Sequence, residues 1–239
     1  MEPQAQDAAS SGLIPGRVPE LVILDCDGVL IDSEIISARM LVQELAEHGV
    51  QIDLAYVARH FLGRSYPTVI AEIRRDFGVT LPDGFEEDYR NRLLDAFKRG
   101  LQIMPGVRDM LDALDVPVCV ATSSSPRRVE MSLRLVDLWK RLGPVTFTAH
   151  EVAHGKPAPD LFLHAAARMG ANPAACLVIE DSLPGIRAGL AAGMTVWRFT
   201  GGSHMGTDTP PEPDDARPHL RFADFNSFYT LAPALRTPR

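Results

Sequence analysis

The chain has 239 residues, 46% of them hydrophobic, and 24 Lys and Arg against 31 Asp and Glu give a formal net charge of -7. That balance lacks the electrostatic footprint of a DNA- or RNA-binding protein, and no apolar run is long enough for a membrane span, so a cytoplasmic protein without nucleic-acid or membrane partners is expected. The three cysteines, Cys26, Cys119 and Cys176, all fall in apolar runs, where a thiol acts as a small hydrophobe and disulfides are not expected.

Residues 1–17 have no apolar period and no basic stretch followed by an apolar core, so they read as a disordered extension with neither signal peptide nor anchor. The run Leu21-Val22-Ile23-Leu24 then reads as a strand buried on both faces. Asp25 and Asp27 fall just beyond its carboxyl end, where parallel sheets place their ligands. Carboxylates at i and i+2 project to one side and repel, which calls for a cation between them. Mg²⁺ suits hard oxygen ligands beside a phosphate. Asp-x-Asp-Gly alone is ordinary turn chemistry, so the case rests on the ends of the later strands. Cys26 points away from the two acids by strand alternation, which argues against a cysteine nucleophile.

Residues 35–102 contain no strand-like run and read as helices over 35–48, 54–61, 67–77 and 86–99, an all-helical insertion. A second strand, 116–121, runs into Thr122-Ser123-Ser124-Ser125-Pro126 and a helix, so hydroxyls and backbone N–H groups meet at a helix start. A cap needs one hydroxyl; a run of four suggests a phosphate site. After a strand at 145–149, Lys156 is held between Gly155 and Pro157, which marks a fixed point charge. The strand at 175–180 ends in Glu180-Asp181, and a further strand at 194–199 precedes a loop with His204, read as a loop residue rather than a catalytic one. A possible edge strand covers 220–225, and the last residues are expected to cover the core weakly.

Strands alternating with helices give an α/β fold with a Rossmann-like parallel sheet flanked by helices. The expected division is a core of 18–34 and 103–239 with a helical cap of 35–102 inserted.

Acid, hydroxyl, lysine and acid at four strand ends, in that order, resemble the haloacid dehalogenase superfamily. Its four motifs are matched by Asp25-Cys26-Asp27-Gly28-Val29, Thr122, Lys156 and Glu180-Asp181, across about residues 20 to 200. The resemblance implies a Mg²⁺-dependent phosphatase of a small phosphomonoester. In it Asp25 is the nucleophile and Asp27 the acid/base, Thr122, Ser123 and Lys156 bind phosphate, and Asp25, Asp27 and Asp181 hold the metal. Glu180 is left as a metal ligand, a partner of Lys156 or a partner of metal water.

The same resemblance makes 61–66 a substrate-specificity loop. Arg64 and Ser65 are candidates there, with Arg39 on the first cap helix, although Arg64 equally suits a surface arginine. Asp32-Ser33-Glu34 after the first motif and the following Ser37-Ala38-Arg39 look similar to sugar phosphatases, and particularly to bacterial 6-phosphogluconate phosphatases. Asp27 argues against the metal-free dehalogenases. Ser37 stands where hexose phosphate mutases carry a cap histidine, which favours hydrolysis over the mutase alternative. A non-catalytic metal- and phosphate-binding module is the third reading, and a monomer is expected, with a dimer as the other possibility.

Overall fold

Uninterrupted apolar runs become the buried strands of the computed structural model, which describes residues 18–61, 66–205 and 212–238. In chain order the elements are β1 (Leu21–Leu24), α1 (Glu34–Glu47), α2 (Leu54–His60), α3 (Tyr66–Phe77), α4 (Phe85–Gly100), α5 (Val107–Asp112), β2 (Val118–Thr122), α6 (Pro126–Leu135), α7 (Trp139–Leu142), β3 (Thr146–Thr148), α8 (Asp160–Met169), β4 (Cys176–Glu180), α9 (Leu183–Ala191), β5 (Thr195–Phe199), β6 (Leu220–Phe222) and α10 (Phe228–Leu231). Five helices, α1 to α5, therefore lie between the first two strands, with no strand among them. None of the described helices is long and apolar enough to cross a membrane.

The six strands form one sheet in the order β3-β2-β1-β4-β5-β6, and every pair is parallel. Strand alternation divides its side chains between two apolar layers. Val22, Leu24, Val120, Leu177 and Ile179 face one. Leu21, Ile23, Cys119, Cys176 and Val178 face the other, where α8 contributes Leu161 and Phe162 and α9 contributes Ile186. Burial on both sides explains why these strands show no hydrophilic alternation. The three thiols are free and buried.

Register decides what meets at the sheet edge. Leu24 stands opposite Val120 on one side and Ile179 on the other, so Asp25 comes level with Ala121 and Glu180. The chain leaves the sheet after Leu24, and the carbonyl of Cys26 turns to accept from Leu30 N at 2.9 Å. The helical insertion departs and returns side by side: Asp32 N donates to Gln102 O at 2.9 Å, and Met104 N to Leu30 O at 2.9 Å.

The C-terminal segment differs from expectation. Phe222, Phe225 and Phe228 step by three along the chain and present one apolar face, so they seal the β5 edge rather than cover it weakly. Phe225 is 2% exposed, and Phe228 and Leu235 are 0%. The rings of Phe199 and Phe225 lie 4.6 Å apart, those of Trp197 and Phe228 5.8 Å. Phe228→Ala should therefore cost about 3–5 kcal/mol in urea unfolding; a loss below about 1 kcal/mol would show the segment to be peripheral.

Candidate active site

At the carboxyl edge of the sheet the ammonium of Lys156 is wedged between two acids. Its Nζ donates to Asp25 Oδ1 at 2.6 Å, to Glu180 Oε1 at 2.8 Å and to the Ala121 carbonyl at 3.0 Å, using all three protons. The Phe162 ring lies beneath it, 4.9 Å from Nζ to the centroid. Burial alone would depress the lysine, but Asp25 and Glu180 outweigh it and hold its pKa above the ordinary value. The other oxygen of Glu180 accepts from Ser182 N at 2.6 Å, so both of its oxygens are occupied.

Asp25, Glu180 and Asp181 bring carboxylate oxygens within 4.8 Å of one another, all buried. Burial pushes Asp25 well above the usual carboxylate range; Lys156 opposes the shift, and Glu180 and Asp181 reinforce it. Asp181 is raised likewise, by burial first and then by Glu180. Three acids facing one ammonium suit a hard cation, because every offered donor is a carboxylate oxygen. Two glycines make room for the cluster. A Cβ on Gly28, whose φ is +77°, would stand 2.1 Å from Asp181 Oδ2, and one on Gly185 would stand 1.7 Å from Glu180 Oε1. Neither position tolerates a side chain while the acids keep their places.

The hydroxyl run after β2 divides its work. Thr122 Oγ1 accepts from Ser124 N at 3.0 Å, which leaves its own O–H proton to donate. Ser125 caps α6 by accepting from Arg128 N at 3.4 Å. Ser123 is exposed at the cavity wall. Ser124 donates to Asp27 Oδ2 at 2.5 Å. The opposite oxygen, Asp27 Oδ1, accepts from Ser33 Oγ at 2.5 Å and from Arg128 Nη2 at 2.7 Å. Burial would raise Asp27, yet Arg128 and the two serine hydroxyls overcome it and hold the carboxyl below its ordinary value.

These groups line one cavity of about 640 Å³, closed on the far side by residues of α1, α2, α3 and α4, among them Leu41, Tyr66 and Tyr89. Every core residue expected from the sequence is there: Asp25, Asp27, Thr122, Ser123, Lys156, Glu180 and Asp181. Arg39 is exposed and is absent from the described lining. Arg64 and Ser65 lie outside the described residues.

Four contributors went unassigned from the sequence, although Ser124 stood in the hydroxyl run. Ser33, Ser124 and Arg128 surround Asp27, and the ring of His204 reaches the cluster, its Nε2 3.0 Å from Asp181 Oδ2 without hydrogen-bond alignment. Burial lowers the His204 pKa. Arg128 did leave a signal, because a basic residue in the first turn of a helix opposes the helix dipole and needs an acid nearby. Glu34 also lines the cavity; burial, reinforced by Asp27, pushes it up to about 7.

An acid with a raised folded-state pKa holds its proton more tightly folded than unfolded. Its contribution therefore turns destabilising as pH climbs from the ordinary carboxylate value near 4 toward the folded one. In metal-free buffer Asp181→Asn should gain roughly 2–6 °C in Tm, and the gain should widen from pH 5 to pH 8. A variant less stable than wild type at pH 8 would contradict this crowding of acids.

A model of the haloacid dehalogenase-like hydrolase family matches residues 19–193. The 6-phosphogluconate phosphatase of Escherichia coli strain K12 is 31% identical over 186 residues, 77% of this chain and 84% of that protein. The beta-phosphoglucomutase of Mycobacterium bovis is 30% identical over 214 residues, 75% of this chain and 81% of its own. Among solved structures, a conserved haloacid dehalogenase-like protein of unknown function from Agrobacterium tumefaciens superimposes with a TM-score of 0.79 at 31% identity, covering 90% of this chain and 98% of its own. With motif, sheet and site in agreement, the chain belongs to the haloacid dehalogenase-like hydrolase family, and it is a phosphatase of that family.

Proposed function

We propose that this chain is a Mg²⁺-dependent phosphatase that hydrolyses a small phosphorylated metabolite, a sugar or sugar-acid phosphate, through an aspartyl-phosphate at Asp25. The observation that carries the reading is the meeting of Asp25, Asp27, Thr122, Lys156 and Asp181 on one cavity wall. Asp25 and Asp181, with the Asp27 main-chain carbonyl that the family resemblance implies, would hold the metal, whose part is to neutralise repulsion between nucleophile and phosphoryl group.

The chain's own groups supply the rest. Lys156 fixes the Asp25 carboxylate and offers its charge to the phosphoryl oxygens. The free O–H of Thr122 and the Ser123 N–H, in the turn that leads into α6, donate to those oxygens as charge redistributes. An Asp25 oxygen attacks phosphorus and the ester P–O bond breaks, the departing alkoxide taking a proton from the protonated form of Asp27, which Arg128 and the two serines keep the minor form before substrate arrives. Water then attacks the same phosphorus, gives its proton to Asp27 and releases Asp25 and inorganic phosphate. Glu180, with both oxygens engaged, serves as the orienting partner of Lys156. In this reading α1 to α4 form the cap over a core of 18–34 and 103–239, and they select the leaving group.

A mutase of the beta-phosphoglucomutase type is the second reading, favoured by the 30% identity to that enzyme of Mycobacterium bovis. Ser37 weighs against it. Its hydroxyl donates to the Ser33 carbonyl at 3.0 Å, and it offers no imidazole to discriminate sugar from water.

Phosphate release should be measured across sugar, sugar-acid, nucleotide and glycolate monophosphates with Mg²⁺ and with EDTA. Turnover should require the metal and fall by roughly 10³-fold or more in Asp25→Asn. Interconversion of glucose 1- and 6-phosphates without phosphate release would establish the mutase. Silence in both assays would favour a non-catalytic binding module.

A further inference from the structure

Arg128 connects three parts of the molecule that are far apart in sequence. Its guanidinium donates to Asp27 Oδ1 at 2.7 Å, to Ser37 Oγ on α1 at 3.3 Å, and lies 5.2 Å from the centroid of the Phe97 ring on α4. Its remaining Nε is buried with no hydrogen-bond partner among the described residues. Ser33 and Ser124 also hold Asp27, and Arg128 adds a contact with α4.

The placement is unfavourable for a surface charge. Arg128 sits in the first turn of α6, where the helix dipole opposes a cation, and that turn carries no acidic residue to offset it. Burying a guanidinium there is tolerable only through the Asp27 carboxylate and the aromatic face beneath it. Both hydrogen bonds leave one nitrogen, Nη2. An arginine that reaches Asp27 and Ser37 together sets the direction of the carboxylate, which a flexible lysine does less well.

We propose that Arg128 is a positioning residue for Asp27: it aims the carboxylate that handles the proton and ties that aim to helices α1 and α4. The proposal rests on the phosphatase reading in which Asp27 is the acid/base. It makes Asp27 responsive to the position of the helical insertion. A shift of α1 or α4 that displaces the guanidinium removes one of the two bonds on Oδ1 and loosens the aim of the carboxylate.

The test exploits leaving-group chemistry. An alkyl phosphate such as a sugar phosphate needs a proton on its departing oxygen, whereas p-nitrophenyl phosphate releases a stable phenolate and does not. The ratio of kcat/KM for the two substrates, which reports steps up to loss of the leaving group, reads proton delivery separately from phosphate binding. Arg128→Met keeps an unbranched apolar side chain but removes the guanidinium from Asp27 and Phe97, and should lower kcat/KM for the alkyl phosphate by roughly 10–100-fold, while p-nitrophenyl phosphate changes by less than about 3-fold. Arg128→Lys should recover part of the loss. If Arg128→Met does not fold, Phe97→Leu should shift the same ratio in the same direction by a smaller factor.

Equal losses on both substrates would overturn the proposal, as would a loss confined to KM, since either makes Arg128 a structural or a substrate-binding group. Asp27→Asn separates the two layers of inference. A selective alkyl loss in Asp27→Asn with none in Arg128→Met overturns the role of Arg128 alone. No selective loss in Asp27→Asn, or no phosphate release from either substrate by wild type, overturns the acid/base reading and this proposal together.

Discussion

The site depends on one buried ammonium. Lys156, whose side chain is 3% exposed, contacts Asp25 and Glu180 across a sheet edge where Asp181 adds a third acid. Without a cation there, those carboxylates could not share the space while ionised, for the mutual repulsion and loss of water would exceed what neighbouring hydrogen bonds return. The sheet provides the arrangement. Register brings Asp25 level with Ala121 and Glu180, and Ala121 offers its carbonyl to the lysine's third proton. Gly28 and Gly185 leave the acids their room.

A second layer surrounds the proposed acid/base. Asp27 is held from three directions by Ser33, Ser124 and Arg128, and the loop after β5 is tied to the first turn by Ser203 N donating to Asp32 Oδ1 at 3.0 Å. The bonds from Ser124 and Arg128 join the segments that follow the neighbouring strands β1 and β2, and the Ser203 bond reaches past β4 from the segment after β5. They place Asp27 at the junction of sheet and helical insertion.

Much of this was legible because buried parallel strands advertise themselves. Unbroken apolar runs ending in Asp25, Thr122 and Glu180 announced both the sheet and the edge on which the chemistry gathers, and a lysine fixed beside proline announced its charge. Partnerships made across distance did not show. Arg128 and Asp27 stand 101 positions apart, and no local pattern couples them; only the misfit of an arginine at a helix start hinted that a partner existed. His204 looked like a loop residue because the approach of its loop to Asp181 is a tertiary event. The C-terminal phenylalanines were undervalued because their period of three falls across short elements, so no single helix or strand displays it.

The central claim is that Asp25 carries the phosphoryl group. Quenching the enzyme in acid during turnover, followed by mass mapping of its peptides, tests this most directly. A phosphoryl group on the peptide that contains Asp25, lost on Asp25→Asn and absent when the divalent cation is removed, is the predicted result. Sustained phosphate release with no phosphorylated peptide at any quench time would contradict the account and point to direct attack by water.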